Sequence, residues 1–246
     1  MLVGTANPDT LLGPRAVEMK RLDSRPEPLE NVTVLQVLCE IDSSSACEVL
    51  PPALHPTIPP LVNWQAWSVP ESPWGAFTLA MTRIECRSGV RPRGLLTGGY
   101  IDNTDAASAL AERWGYGLQL ADVVVLERRY DEVRCDVELV GESILEIGLR
   151  DPVPLGMSDV QYVAALHAAR TERGLRLVQC DPRHEPERAE RGAPIIDHFD
   201  ASLWGEERLL PAYPVSASVA TGRVTLPELR YVCRPDELAF TGTEPV

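Results

Sequence analysis

Lysine is almost missing from this chain: Lys20 is the only one in 246 residues, and every other basic side chain apart from four histidines is arginine. Chemistry that needs a primary amine, such as imine formation with a carbonyl compound, therefore rests on one residue near the amino terminus or does not occur. The six cysteines (Cys39, Cys47, Cys86, Cys135, Cys180 and Cys233) include no CxxC pair and no adjacent histidine, which excludes zinc-ribbon and dithiol motifs. They read as buried free thiols of a reducing compartment. No apolar run is long enough to span a bilayer, and no basic region followed by an apolar stretch opens the chain. A cytoplasmic protein without a membrane partner is expected. Positive charge is also in deficit, 23 basic against 36 acidic residues, and a net charge of -13 repels phosphate backbones. No nucleic-acid partner is expected. There is no Gly-x-Ser-x-Gly elbow, no glycine-rich phosphate loop and no internal repeat. His55 reads as a loop residue, His184 and His198 lack partners for a metal site, and neither a metal nor a cofactor is expected.

What is present is an ordinary globular balance, 44% hydrophobic and 24% charged residues, sufficient for a substantial core. Residues 1 to 30 have no periodicity and read as an arm, followed by one domain over 31–246. The first strand spans Val32 to Ile41, dense in β-branched residues. A rigid proline cluster, PPALHPTIPP, follows the short SSSACEVLP segment. Runs such as LVNWQAWSV, AFTLAMTRIECR, RGLLTGGYI, LADVVVLERRY and YPVSASVATGRVTL are short and separated by turn residues, the pattern of a mainly β barrel or sandwich. Two helices are expected within it. TDAASALAERWG is capped by Asn103 or Thr104 and stopped by Gly115, and SDVQYVAALHAARTERG carries a Ser158/Gln161 capping box and a stop at Gly174. The charged stretch DPRHEPERAERG reads as a solvated loop.

The run TGGYIDNTDAASALAERWGYGLQLADVVV resembles the central signature of the acetoacetate decarboxylase family, with Tyr100, Asp102, Asn103, Glu112, Trp114, Gly115 and Tyr116 in matching positions. PPLV and PWGAF upstream and HFDASLWGEERLLPAYPVSASVATGRVTLPELRYV downstream extend the resemblance from about Val32 to Arg234. It implies a β-barrel or double-sheet cone around a central cavity, a small-molecule substrate and a homo-oligomer. It also implies a catalytic lysine that forms an imine with a keto acid. At that position stands Leu118, beside it Gln119 replaces a second lysine, and a family glutamate falls at Leu79. The imine apparatus is missing.

Leucine in place of amine and carboxylate makes the pocket more apolar, and an apolar pocket binds by area removed from water. Leu118, Leu79, Phe77, Met81 and Trp64 are the expected substrate-binding residues, the middle three from strand alternation. Gln119 and Tyr116 are candidates to hydrogen-bond a carbonyl, and Glu85 is a candidate acid or base. The expected function is a cofactor-independent cyclase or pericyclase of bacterial specialised metabolism, acting on an apolar, polyketide-like carbonyl substrate. Its rivals are a non-catalytic binding barrel and a decarboxylase, dehydratase or aldolase with non-standard residues.

Overall fold

β-Branched and aromatic residues recur in short runs along the chain, and the computed structural model, which describes residues 2–246, pairs them into one 16-stranded sheet. The strands are β1 Val17–Glu18, β2 Glu27–Glu40, β3 His55–Pro56, β4 Leu61–Val69, β5 Phe77–Ser88, β6 Arg91–Ile101, β7 Gln119–Leu120 and β8 Val123–Arg129. They continue with β9 Glu132–Leu139, β10 Glu142–Pro154, β11 Ala165–Thr171, β12 Gly174–Cys180, β13 Arg183–Phe199, β14 Tyr213–Leu226, β15 Tyr231–Cys233 and β16 Thr243–Pro245. The order across the sheet is β16-β15-β12-β11-β6-β5-β4-β2-β14-β13-β10-β9-β8, with β1, β3 and β7 paired to β11, β5 and β6. The two ends do not meet: the expected mainly β architecture with few helices is realised as one large open sheet. It folds over on itself, bringing β8 against β4 and β5.

Strand alternation sends side chains to two separate cores. On β4, Val62, Trp64 and Ala66 belong to one core and Trp67 and Val69 to the other. On β5, Ala80, Ile84 and Cys86 join the first, while Phe77, Leu79 and Met81 join the second. The first core lies where β9 and β10 fold back, and it holds Cys135, Ile147 and Leu149. The second is covered by the arm through Met19 and by a helix through Ala106, Leu110 and Trp114.

Among the described residues four α-helices accompany the sheet: α1 Pro8–Leu11, α2 Ser43–Val49, α3 Thr104–Trp114 and α4 Ala239–Gly242. The covering helix is α3, the first of the two expected. Asn103 caps it by accepting from the Ala106 N–H at 3.0 Å, and Gly115 ends it at φ 77°. The second expected helix is overturned. Met157–Asp159 form only a 3-10 turn, and Ala165–Thr171 extend as β11 between β6 and β12. Alanine and leucine favour helix, but pairing on both sides of β11 outweighs that small preference. Gly174 serves the β11–β12 turn at φ 85°. The charged stretch is likewise no loop but part of β13, with Pro186 at a register shift where a missing N–H is tolerated. The unassigned SSSACEV segment is α2, capped by Asp42. The arm, whose first residue lies outside the described residues, pairs β1 with β11 and leaves Lys20 exposed.

One irregularity aims a side chain that matters below. Against β6, Thr82 faces Gly98 but Arg83 faces Leu96, so Thr97 is an extra residue bulged out beside Arg83. Gly98 is required there, since a Cβ would stand 2.1 Å from the Trp204 carbonyl oxygen.

Candidate functional site

The second core is not wholly apolar. Alternation places Gln36 of β2, Asn63, Gln65 and Trp67 of β4, Arg83 and Glu85 of β5, and His167 of β11 on its side of the sheet, all buried. The amides are partly tied together: Gln65 Nε2 donates to Gln36 Oε1 at 2.9 Å, and Gln36 Nε2 donates to the Gln161 carbonyl at 3.1 Å. Arg83 is different. It is 2% exposed, no carboxylate among the described residues pairs with it, and its Nε and Nη2 have no hydrogen-bond partner. Trp67 Nε1, His167 Nε2, His184 Nδ1 and Gln65 Oε1 are also buried without a partner among the described residues. Buried polar atoms are nearly always satisfied. Open donors and acceptors thus gather inside the second core, a polar chamber that the packed side chains fill.

Aromatic rings wall this chamber. Trp67 stands edge-on to Tyr116 and His184, with ring centroids 6.4 and 5.7 Å away, and Tyr116 lies 4.1 Å from His167. His167 is fully buried, and its Nδ1 lies 2.7 Å from the Trp114 carbonyl oxygen. A carbonyl can only accept, so Nδ1 carries the proton and Nε2 keeps its lone pair. Burial, followed by the charge of Arg83, holds both His167 and His184 down to about 3, so both rings are neutral at physiological pH. Burial pushes the Tyr116 hydroxyl well up, leaving it protonated. Glu85 is raised by burial, against the pull of Asn63.

An irregular strap, residues 155–164, crosses the chamber on its way from β10 to β11. Gln161 is held by Gln36, and Tyr162 stacks on His184 at 3.7 Å with the rings 6° from parallel. Beside this stack a pocket of about 10 Å³ is lined by Val32, Val34, Tyr162 and His184, room for about one water molecule.

The candidate residues read from the sequence divide three ways. Tyr116, Phe77, Leu79, Met81 and Glu85 lie on the chamber side of the sheet, with Leu118 packed against the same core. Gln119 does not. It is exposed on β7 and lines an outer cleft of about 670 Å³ between the arm and β6, together with part of Leu118. Trp64 points to the opposite face and packs edge-on against Phe199 at 5.1 Å, because β4 alternates; Trp67 takes the place assigned to it. Sequence reasoning missed Arg83, His167, His184 and Gln36. Lys20 lies in outer clefts against the arm and α3, away from the chamber. Among the described residues, no group of three His, Cys, Asp or Glu side chains is placed to hold a metal ion.

The family described as acetoacetate decarboxylase (ADC) matches residues 14–165. No curated protein matches the chain. Among solved structures, acetoacetate decarboxylase from Legionella pneumophila aligns with a TM-score of 0.74 at 18% identity, covering 90% of this chain and 93% of that one. The enduracididine biosynthesis enzyme MppR, complexed with the condensation product of pyruvate and imidazole 4-carboxaldehyde, aligns at 0.66 and 16% identity, covering 85% and 90%. An acetoacetate decarboxylase-like enzyme from Sphingomonas wittichii RW1 aligns at 0.66 and 14% identity, covering 84% and 92%. At these identities the structural likeness speaks for the fold.

Proposed function

We propose, from the premise that the chain belongs to the acetoacetate decarboxylase family, that it is a lysine-independent enzyme of that fold, a cyclase or lyase that works through the enolate of a small carbonyl compound. The observation that carries this reading is the pairing of two features in one chamber: no lysine, and a histidine whose Nε2 lone pair is buried and unoccupied beside open hydrogen-bond donors. An imine withdraws electrons from a carbonyl carbon. Here that work falls to fixed donors aimed at the carbonyl oxygen, which act strongly where water is excluded.

The proposed step begins when His167 Nε2 takes a proton from the carbon next to the carbonyl. The C–H bond breaks, and its electron pair moves onto the carbonyl oxygen as an enolate, stabilised by the Trp67 N–H and the positive field of Arg83. In a cyclisation the enolate carbon then attacks a second carbonyl of the same molecule, and the imidazolium returns its proton to the alkoxide. No electron acceptor is needed. Phe77, Leu79 and Met81 supply an apolar wall for the body of the substrate. The substrate therefore combines an apolar body with a polar carbonyl head.

Exchange of α-protons for deuterium tests the first step. Followed by NMR with phenylpyruvate and phenylacetone, exchange should be catalysed by the protein and fall by about 10²–10⁴-fold in His167→Phe. Borohydride added with either compound should leave the intact mass unchanged. A reduced adduct on the protein, or full exchange in the His167 variant, would sink the reading.

A further inference from the structure

We propose that the outer cleft of about 670 Å³ beside β6 is a second ligand site, separate from the chamber, which takes a small neutral amide carrying an apolar side group. Leu118 stands between the two, lining the cleft and packing against the second core.

The cleft is a seam in the sheet. β11 runs beside β6 only at Gly94 and Leu95, and then pairs with β1 of the arm through Ala169 and Arg170. β7 takes up the same side of β6 again at Tyr100 and Ile101. Leu96, Thr97, Gly98 and Gly99 are left without a strand on that side, and no loop backbone among the described residues takes its place. An open edge of this kind presents N–H and C=O groups side by side, the complement of an amide. The arm crosses the seam, with the Arg15 carbonyl oxygen 2.9 Å from where a Cβ on Gly117 would stand. The space therefore suits a small molecule and not a strand running through.

Two side-chain donors open onto the same space. Trp204 is 1% exposed, and its Nε1 has no hydrogen-bond partner among the described residues. Cδ1, the ring atom bonded to that nitrogen, lies 3.3 Å from where a Cβ on Gly98 would stand, so the N–H edge of the indole reaches the cleft wall. Arg15 Nη1 is likewise buried and unpartnered, while Nη2 donates to the Gly205 carbonyl at 2.5 Å and to Glu206 at 2.6 Å. Glu206, shared with Arg208 outside the cleft, thus answers the charge of Arg15. What stays open is an N–H. Buried donors left empty are costly, and two of them without a free charge match the carbonyl oxygen of a neutral amide. Gln119 adds an amide of its own, and Leu11, Val17, Leu96 and Leu118 supply apolar surface for a side group.

N-Acetylleucinamide is the probe, with two amides on one isobutyl group. Titrated into isotope-labelled protein to millimolar concentration and followed by NMR, it should shift the Trp204 indole N–H resonance, identified by its loss in Trp204→Phe. Trp204→Phe and Arg15→Lys, each short of a donor, should weaken binding about three- to tenfold. Tyr162→Leu, in the strap over the chamber, should bind the probe as the natural chain does. N-Acetylleucine, a carboxylate in place of the terminal amide, and isoamyl acetate, which has no N–H, should bind more weakly. Thermal melts check that each variant is folded, and Arg15→Lys, on the partly exposed arm, serves if Trp204→Phe is not. An unmoved Trp204 resonance, an acid that binds as tightly as the amide, or affinity unchanged in the donor variants overturns the proposal. So does binding lost in Tyr162→Leu, which would assign the amide to the chamber.

Discussion

Arg83→Met should make the empty protein more stable, by about 1–4 kcal/mol, because a buried charge with no partner is exchanged for an apolar side chain of similar length. In a chain of this size that corresponds to roughly 2–4 °C in Tm for each kcal/mol. Most substitutions at fully buried positions do the opposite, so the sign is the informative result. A residue that destabilises the folded chain is kept where function needs it, and a gain in Tm together with a loss of α-proton exchange would place Arg83 in that group. A clear fall in Tm would show instead that the guanidinium holds the fold together through contacts other than those described. Thermal melts of the two proteins without ligand decide between these outcomes.

Acidification should weaken the fold well above the range where carboxylates protonate. The folded state keeps His167 neutral down to about 3, whereas the unfolded chain binds a proton near the ordinary value of about 6.5. Between those values the unfolded state holds the extra proton, so the contribution is complete above pH 6.5 and is lost progressively as the pH falls toward 3. From pH 7 to pH 5 the loss through His167 alone is about 2 kcal/mol. His184 shifts in the same direction for the same reason, burial followed by Arg83. Glu85, Asp102 and Asp136, each raised by burial, act in the opposite sense, but only at the lower pH where carboxyl groups begin to protonate. Urea unfolding at pH 7, 6 and 5 should show the midpoint falling, with a shallower decline in His167→Phe. A flat profile would mean that His167 is protonated in the folded state.

How much of this was legible in the sequence depends on which interaction fixed each element. α3 was readable because its signals are local: an asparagine cap, an alanine-rich face and a glycine stop lie within thirteen residues, Asn103 to Gly115. The β11 segment was not, because AALHAAR favours helix and only the distant partners β6 and β12 make it a strand. That error hid His167, whose inward direction follows from strand alternation and not from a helical stripe. β13 was misread because its charges suggested solvent, while pairing with β10 on one side and β14 on the other fixes it as a strand. Arg83 carried a usable signal. In FTLAMTRIECR it falls on the same alternate positions as Leu79 and Met81, so a charge in register with an apolar face was already visible. Leu118 and Leu79 announced what the site lacks; the groups that replace them come from five strands, β2, β4, β5, β11 and β13, that only the sheet brings together.

The strap over the chamber has a consequence for how ionic strength acts on this protein. It closes above a cation sheltered from dissolved ions, inside a molecule whose net charge is -13. Dissolved salt screens the repulsion among the outer carboxylates and scarcely reaches the inner charge. Added salt should therefore steady the fold as a whole while leaving the surroundings of Arg83 as they are.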